Sequence, residues 1–114
     1  MSPSKPKIRP PKHLKTATKR WMQRILDEFE IDPSDGSLQK LILAGEALDR
    51  TNEAREVVAK EGLTTRDRFG QAKPHPAVGI QRDFSALHAR LMRELNLTEA
   101  PDNARPPALR YGGK

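Results

Sequence analysis

Most of the side chains able to do chemistry here are cations, and the densest group comes first. Lys5, Lys7, Arg9, Lys12 and Lys15 stand within residues 1–15 with no acid among them. Pro3, Pro6, Pro10 and Pro11 break up that stretch, and Ile8 and Leu14 are its only sizeable apolar groups. It buries too little surface to offset the entropy of ordering, so it reads as a disordered basic arm. Such an arm suits a polyanion, because each cation neutralises a phosphate and releases a counterion. The same composition also serves as a plain solubilising tail, and both readings stay open. A second basic group, Arg66, Arg68 and Lys73, shares a loop with Phe69. That loop suits phosphate contact or a solvated connector.

Other chemistries lack their residues. There is no cysteine, hence no disulfide framework and no thiolate metal site. His13, His75 and His88 fall in the arm, the loop and a helix face, without metal-ligand spacing. Phosphate-loop, dinucleotide, HExxH and EF-hand patterns are missing, and Gly112-Gly113-Lys114 is only the chain end. The carboxylates read as helix-surface partners such as Glu46–Arg50 and Glu56–Lys60, not as an isolated catalytic pair. The expectation is therefore no enzyme, no catalytic residue, no metal and no cofactor.

Three helices must position the cations. Thr16 to Glu30 is the first, with Trp21, Met22, Ile25, Leu26 and Phe29 on one stripe and Lys19, Arg20 and Arg24 off it. Thr16 or Thr18 is its candidate N-cap, and Trp21 reads as a core anchor. The second runs from Asp32 to Gly62, with Asp32 as N-cap, Pro33 at the first helical position and Gly62 as the left-handed stop. Leu63 would fold back on Val58 or Ala59. About 28 residues give a rod of roughly 42 Å. The short turn between the two folds the first helix back antiparallel on the second. Gly45, flanked by Ala44 and Ala47, would let another backbone approach closely. Residues 62–76 form an ordered loop or a short hairpin, pairing Thr64-Thr65 with Arg68-Phe69 about a turn near Gly70. Pro76 to Asn96 is the third helix, with Ala77, Ile80, Phe84, Leu87, Leu91 and Leu95 as its stripe.

The expected architecture is all-α, with an antiparallel helix pair whose second helix is long, then a loop or hairpin and a third helix. Residues 1–15 form the arm, 16–97 a helical core and oligomerisation domain, and 98–114 a flexible tail holding the island Leu109-Arg110-Tyr111. The net charge of +6 is uneven: +5 in residues 1–15, −3 in 16–61 and +2 in 62–75. No run of apolar residues is long enough to span a membrane, and no apolar h-region follows the N-terminus.

Taken in order, these elements resemble those of phage terminase small subunits, in the short helical branch. The likeness covers about Leu14 to Thr98. It is carried by Lys19-Arg20-Trp21 on the first helix, Leu48-Asp49-Arg50 at the middle of the second, and Lys60-Glu61-Gly62-Leu63 at its end. His75-Pro76-Ala77 opens the last helix and Glu94-Leu95-Asn96-Leu97-Thr98 closes it. Family members often carry Gly where Asn96 stands, and Asn tolerates the same backbone geometry. The resemblance implies a non-enzymatic packaging component in the cytoplasm of an infected bacterial host. It would form a closed homo-oligomeric ring, recruit double-stranded viral DNA and regulate a separate large subunit that is the ATPase and nuclease.

A rod longer than its own domain fits such an assembly, since a heterologous contact repeated about an axis closes into a ring. Leu41, Gly45, Leu48, Phe84, Leu87 and Leu91 are the candidate oligomer interface. The first-choice DNA surface is Lys5, Lys7, Arg9, Lys12 and Lys15, extended by Lys19, Arg20 and Arg24; the second is Arg66, Arg68 and Lys73. The tail is assigned to the large subunit on the resemblance alone. No helix-turn-helix recognition helix is present, so weak intrinsic sequence preference is expected. Two alternatives stand beside this reading: a generic basic nucleic-acid-binding protein, and a helical adaptor without a packaging role.

Overall fold

A computed structural model describes residues 8–97. Lys5, Lys7 and the tail 98–114, with Leu109-Arg110-Tyr111, lie outside the described residues. Within them the order is α1 (Thr16–Glu28), α2 (Ser37–Glu61), β1 (Thr64–Arg66), β2 (Ala72–Pro74) and α3 (Pro76–Leu95). The fold is mostly helical, and a small antiparallel two-stranded sheet corrects the plain all-α expectation.

The long helix starts later than its sequence suggests. Asp32 does not cap it. Its Oδ1 accepts from the Ser34 N–H at 2.9 Å and the Ser34 hydroxyl at 2.7 Å. Asp35 Oδ1 in turn accepts from the Ser37 N–H at 2.9 Å, and Gly36 takes the cap position in a left-handed conformation. Local side-chain acceptors here compete with helix formation and hold Pro33 to Gly36 as turns. The helix has 25 residues, close to 37 Å of rise. Its other end falls where expected. Gly62 has φ 93° and ψ 172°, a region only glycine occupies readily, and its N–H bonds Val58 O at 2.7 Å. The anticipated fold-back of Leu63 does not form, since Leu63 is 66% exposed and leads directly into β1.

The hairpin is present, with a different second strand. Thr64–Arg66 pairs with Ala72–Pro74, so Arg68 and Phe69 belong to the connection and not to a strand. α3 matches its signals. His75 caps it by accepting the Ala77 N–H on Nδ1, Pro76 opens the first turn, and Asn96 ends it at φ 50°, ψ 53°.

The principal packing is α2 against α3, antiparallel. Lys40 meets Glu94 at 3.6 Å near one end, His88 Nδ1–H donates to Ala44 O at 2.8 Å near the middle, and His75 meets Glu61 at the other end. Ala44, Ala47, Thr51 and Ala54 are buried along α2, with Ala77 and Leu91 on α3, and the Thr51 hydroxyl donates back to Ala47 O. Small side chains on this line keep the two helices close.

α1 lies over the N-terminal half of α2, Thr18 beside Asp49 and Met22 beside Gly45, which is the antiparallel sense expected. Leu14, Met22, Ile25 and Leu41 form the core, and Trp21, Leu26, Phe29, Ile31, Met92 and Leu95 pack around it. Trp21 tilts against the His88 ring at 5.3 Å, joining α1 to α3. Lack of space explains Gly45. A Cβ there would fall 2.9 Å from Met22 Cε and 3.3 Å from Leu14 Cδ1. The close neighbour that Gly45 admits is thus α1 of the same chain. Leu41, Gly45 and Leu91, three of the candidate interface residues, are buried within the protomer itself. Leu48, Phe84 and Leu87 are half-buried and keep part of their surface outside.

Candidate nucleic-acid interface

The cap of α1 decides how the first basic group is presented. Its N-cap residue is Lys15, not Thr16 or Thr18, and no side chain of α1 caps it. The missing acceptor comes from α2. Asp49, 1% exposed, takes the Lys15 backbone N–H on Oδ2 at 3.0 Å and the buried Thr18 hydroxyl on Oδ1. A carboxylate at this end of a helix also meets the positive end of its dipole. Sequence reasoning missed this bond, although Asp49 carries a signal. It lies four residues past Gly45 and eight past Leu41, on the same buried stripe.

The preceding segment is also held, so disorder of the whole arm through residue 15 is corrected in its last part. Leu14 is buried at 3% exposure, and its N–H turns back to Pro11 O at 3.3 Å. His13 Nε2–H donates to Glu46 at 2.7 Å, and Lys15 Nζ reaches Glu53 at 3.3 Å. Lys15 is therefore directed at α2 by both its backbone and its side chain. Arg9, Lys12, Arg20 and Arg24 are exposed and Lys19 is half-buried. None of these five has an ion pair among the described residues. Arg20 and Arg24 stand one turn apart on α1, away from its buried residues Thr18, Met22 and Ile25.

Acids stand near this surface as well: Asp27 accepts from the Gln23 amide at 2.9 Å, and Glu28, four residues past Arg24, is exposed. Arg50 meets Glu53 through Nε at 3.0 Å and Nη2 at 3.1 Å, which replaces the expected Glu46–Arg50 pair. The Glu56–Lys60 pair does not form either.

The second basic group sits on the hairpin. Asp67 builds the connection between the strands: its Oδ1 accepts the Phe69 N–H at 2.8 Å and the Gln71 N–H at 3.0 Å. Its own N–H donates to Gln71 O, and its carbonyl accepts from Gly70 N–H, both at 3.0 Å. Arg66 Nη1 reaches Gly70 O at 2.6 Å, and the Arg68 guanidinium lies 5.4 Å from the centre of the Phe69 ring. Lys73, on β2, is exposed. The root is tied to both long helices. His75 N–H donates to Leu63 O, and His75 Nε2–H donates to Glu61 at 2.7 Å. Because Nδ1 accepts from Ala77, the proton must sit on Nε2 for both bonds to form.

The two groups are separate sites on one protomer. Lys15 contacts α2 at Glu53 and the hairpin root contacts it at Glu61, eight residues and roughly 12 Å further along the axis. Arg20 and Arg24 flank Met22, which lies over Gly45 and so stands further still from the hairpin.

Every buried side-chain nitrogen or oxygen among the described residues has a hydrogen-bond partner. No group of three or more His, Cys, Asp or Glu among them is placed to hold a metal ion. No helix among them is long and apolar enough to cross a membrane. Comparison of the chain with family models, with curated proteins and with solved structures returns no match.

Proposed function

We propose that this chain is a DNA-binding packaging component of the terminase small-subunit kind. In this reading it assembles as a homo-oligomer, recruits double-stranded viral DNA in the cytoplasm of an infected bacterium, and regulates a separate large subunit. The observation that supports it is a set of exposed cations, Arg9, Lys12, Arg20 and Arg24, none of which has an ion pair among the described residues. Phosphate contacts need cations free of internal partners, and these are so arranged. Assembly draws on the apolar surface left outside the three-helix core. Leu43 is 50% and Ile80 45% exposed, and Leu48, Phe84 and Leu87 are half-buried.

The test of DNA binding is its salt dependence. Arg20→Ala/Arg24→Ala should lower the slope of log affinity against log salt by about 0.9 for each phosphate no longer neutralised, with the helical signal unchanged. An unchanged slope removes α1 from the DNA surface. Native mass, measured with and without duplex, tests the ring. A monomer or dimer in both conditions rules it out and leaves a small basic binder.

The helical adaptor keeps one observation in its favour. The same exposed Leu43 and Ile80 would equally accept a partner helix. It predicts no DNA binding at low salt.

A further inference from the structure

Phe69 is 77% exposed, more than any other large apolar side chain in the described core or its hairpin. Exposed phenylalanines on loose loops are common, but this one stands on a built tip. Asp67 holds the backbone N–H of Phe69 itself and that of Gln71, Gly70 turns at φ 79°, and Arg66 clamps Gly70 O. The strands below are registered Thr64 to Pro74 and Arg66 to Ala72, and the root is fixed to α2 through His75 and Glu61. The ring is therefore offered to solvent at low cost in chain ordering, which is the arrangement that favours binding.

The surroundings restrict what the ring can bind. Arg66, Arg68 and Lys73 stand within the hairpin against one acid, Asp67, whose carboxylate is turned to backbone N–H groups. The Arg68 guanidinium lies over one face of the ring, so its charge backs that face and an aromatic partner would stack on the other. A planar, neutral ring flanked by cations is the combination that stacks a nucleobase while the adjoining phosphates are held. A lipid surface is a poorer match. The tip offers one apolar side chain, and Leu63, the other exposed apolar group nearby, lies before β1 at the opposite end of the hairpin. One ring is too little apolar surface for stable interfacial anchoring. In a continuous duplex the base faces are already stacked, so a ring of this kind needs an unpaired base.

We propose that the hairpin tip is a base-stacking finger: Phe69 stacks on an unpaired or locally opened base while Arg68 and Lys73 hold the neighbouring phosphates. This rests on the nucleic-acid reading above and adds a second contact, chemically distinct from the cation row of α1.

The full chain would be titrated, by fluorescence anisotropy, into three labelled probes. These are a short duplex, the same duplex carrying one unpaired adenine, and the single strand. A fluorescent adenine analogue in the unpaired position reports stacking directly. Wild type should prefer the unpaired-base duplex over the intact one and quench the analogue. Phe69→Ala should weaken binding to that probe about tenfold and abolish the quenching, while binding to the intact duplex stays within about twofold. Phe69→Trp should retain both signals, and Phe69→Leu, apolar but without a π-face, should behave as Phe69→Ala. Because Phe69 contributes its backbone N–H and not its side chain to the turn, all three variants keep the bonds that shape the tip. If Phe69→Ala binds every probe as wild type does, the finger is refuted and binding through α1 stands. If no probe binds at low salt, the nucleic-acid reading fails and the finger with it. If Phe69→Ala instead loses binding to phosphatidylserine vesicles with all three probes unchanged, the tip is a membrane contact and the proposal is overturned.

Discussion

Removing the carboxylate of Asp49 should loosen α1 from the rest of the fold. In the structure one carboxylate serves two donors: the Lys15 N–H at the start of α1, and the Thr18 hydroxyl one turn in, itself 1% exposed. Asp49→Ala leaves the helix start uncapped, which costs about 1 kcal/mol. It also strands the buried Thr18 hydroxyl, which costs about 1–3 kcal/mol. Against this, a buried carboxylate no longer has to be desolvated, and that offsets part of the loss. The net expectation is about 2–3 kcal/mol from a total of about 5–15 for a small domain. At this chain length that lowers the melting temperature by roughly 10–20 °C.

The partner substitution separates this account from a general packing defect. Thr18→Val keeps the shape and removes the hydroxyl. If the two side chains act through one bond, the double variant should fall short of the sum of the singles by about 1 kcal/mol or more. Asp49→Asn retains an acceptor for Lys15 N–H and lets Thr18 accept from the amide, so it should cost less than Asp49→Ala. The measurement is urea unfolding of wild type and these variants, followed by circular dichroism. The reasoning is refuted if Asp49→Ala lies within about 0.5 kcal/mol of wild type, or if Asp49→Ala and Thr18→Val add within that margin.

The other expectations concern separate joints. His75→Ala removes the side-chain cap of α3 and should cost about 1 kcal/mol by urea unfolding, whereas Glu61→Gln, at the exposed partner of the ring's other nitrogen, should cost under about 0.5 kcal/mol. Gly62→Ala meets open space but forces a side chain at φ 93°, so about 1–3 kcal/mol should be lost through the backbone alone, read in the same urea experiment. Met22→Ala, at a fully buried position under Gly45, should cost about 2–5 kcal/mol by thermal unfolding. Leu43→Ala, half-exposed, should leave protomer stability within about 0.5 kcal/mol while lowering the native mass if α2 supports an assembly.

What could be read in the sequence followed from rules acting over a few residues. Pro76 and Asn96 bound α3 because proline suits a first turn and asparagine tolerates a left-handed stop. The stripe through Met22 and Ile25 marks the buried face of α1 by its period. The start of α2 is misplaced by sequence because two local rules conflict there. Asp32 and Pro33 satisfy a helix-start pattern, but Ser34 and Asp35 supply turn bonds that postpone the helix to Ser37. Gly45 shows a different limit. A small residue on an apolar stripe announces that something comes close, and the announcement is the same for a helix of this chain or of another. Only the position of Met22 and Leu14 above it identifies α1. The candidate DNA surface was legible as composition. That Lys15 reaches across the surface to α2 while Arg20 and Arg24 do not was set by Asp49 and Glu53, more than thirty residues away.

Both basic surfaces arise from one division of labour between acids and cations. At the start of α1, Asp49 is committed to a backbone N–H and a buried hydroxyl; on the hairpin the one acid, Asp67, is committed to two backbone N–H groups. Glu46 and Glu53 are taken by His13, Lys15 and Arg50 on the side of α2 that meets the start of α1. Asp49 and Asp67 thus organise the chain's own backbone, while Arg20, Arg24 and Arg68 have no ion pair among the described residues. A chain of modest net charge can in this way present local fields stronger than its total implies, since what a phosphate meets is the charge within a Debye length of roughly 8–10 Å. The order of effects follows. Substituting Arg20 or Arg24 should change the affinity for a polyanion and leave the fold intact. Substituting Asp49 or Asp67, which adds to the net positive charge, should weaken that affinity by disordering the element that carries the cations. An increase on either aspartate substitution would mean that total charge, and not its placement, governs binding.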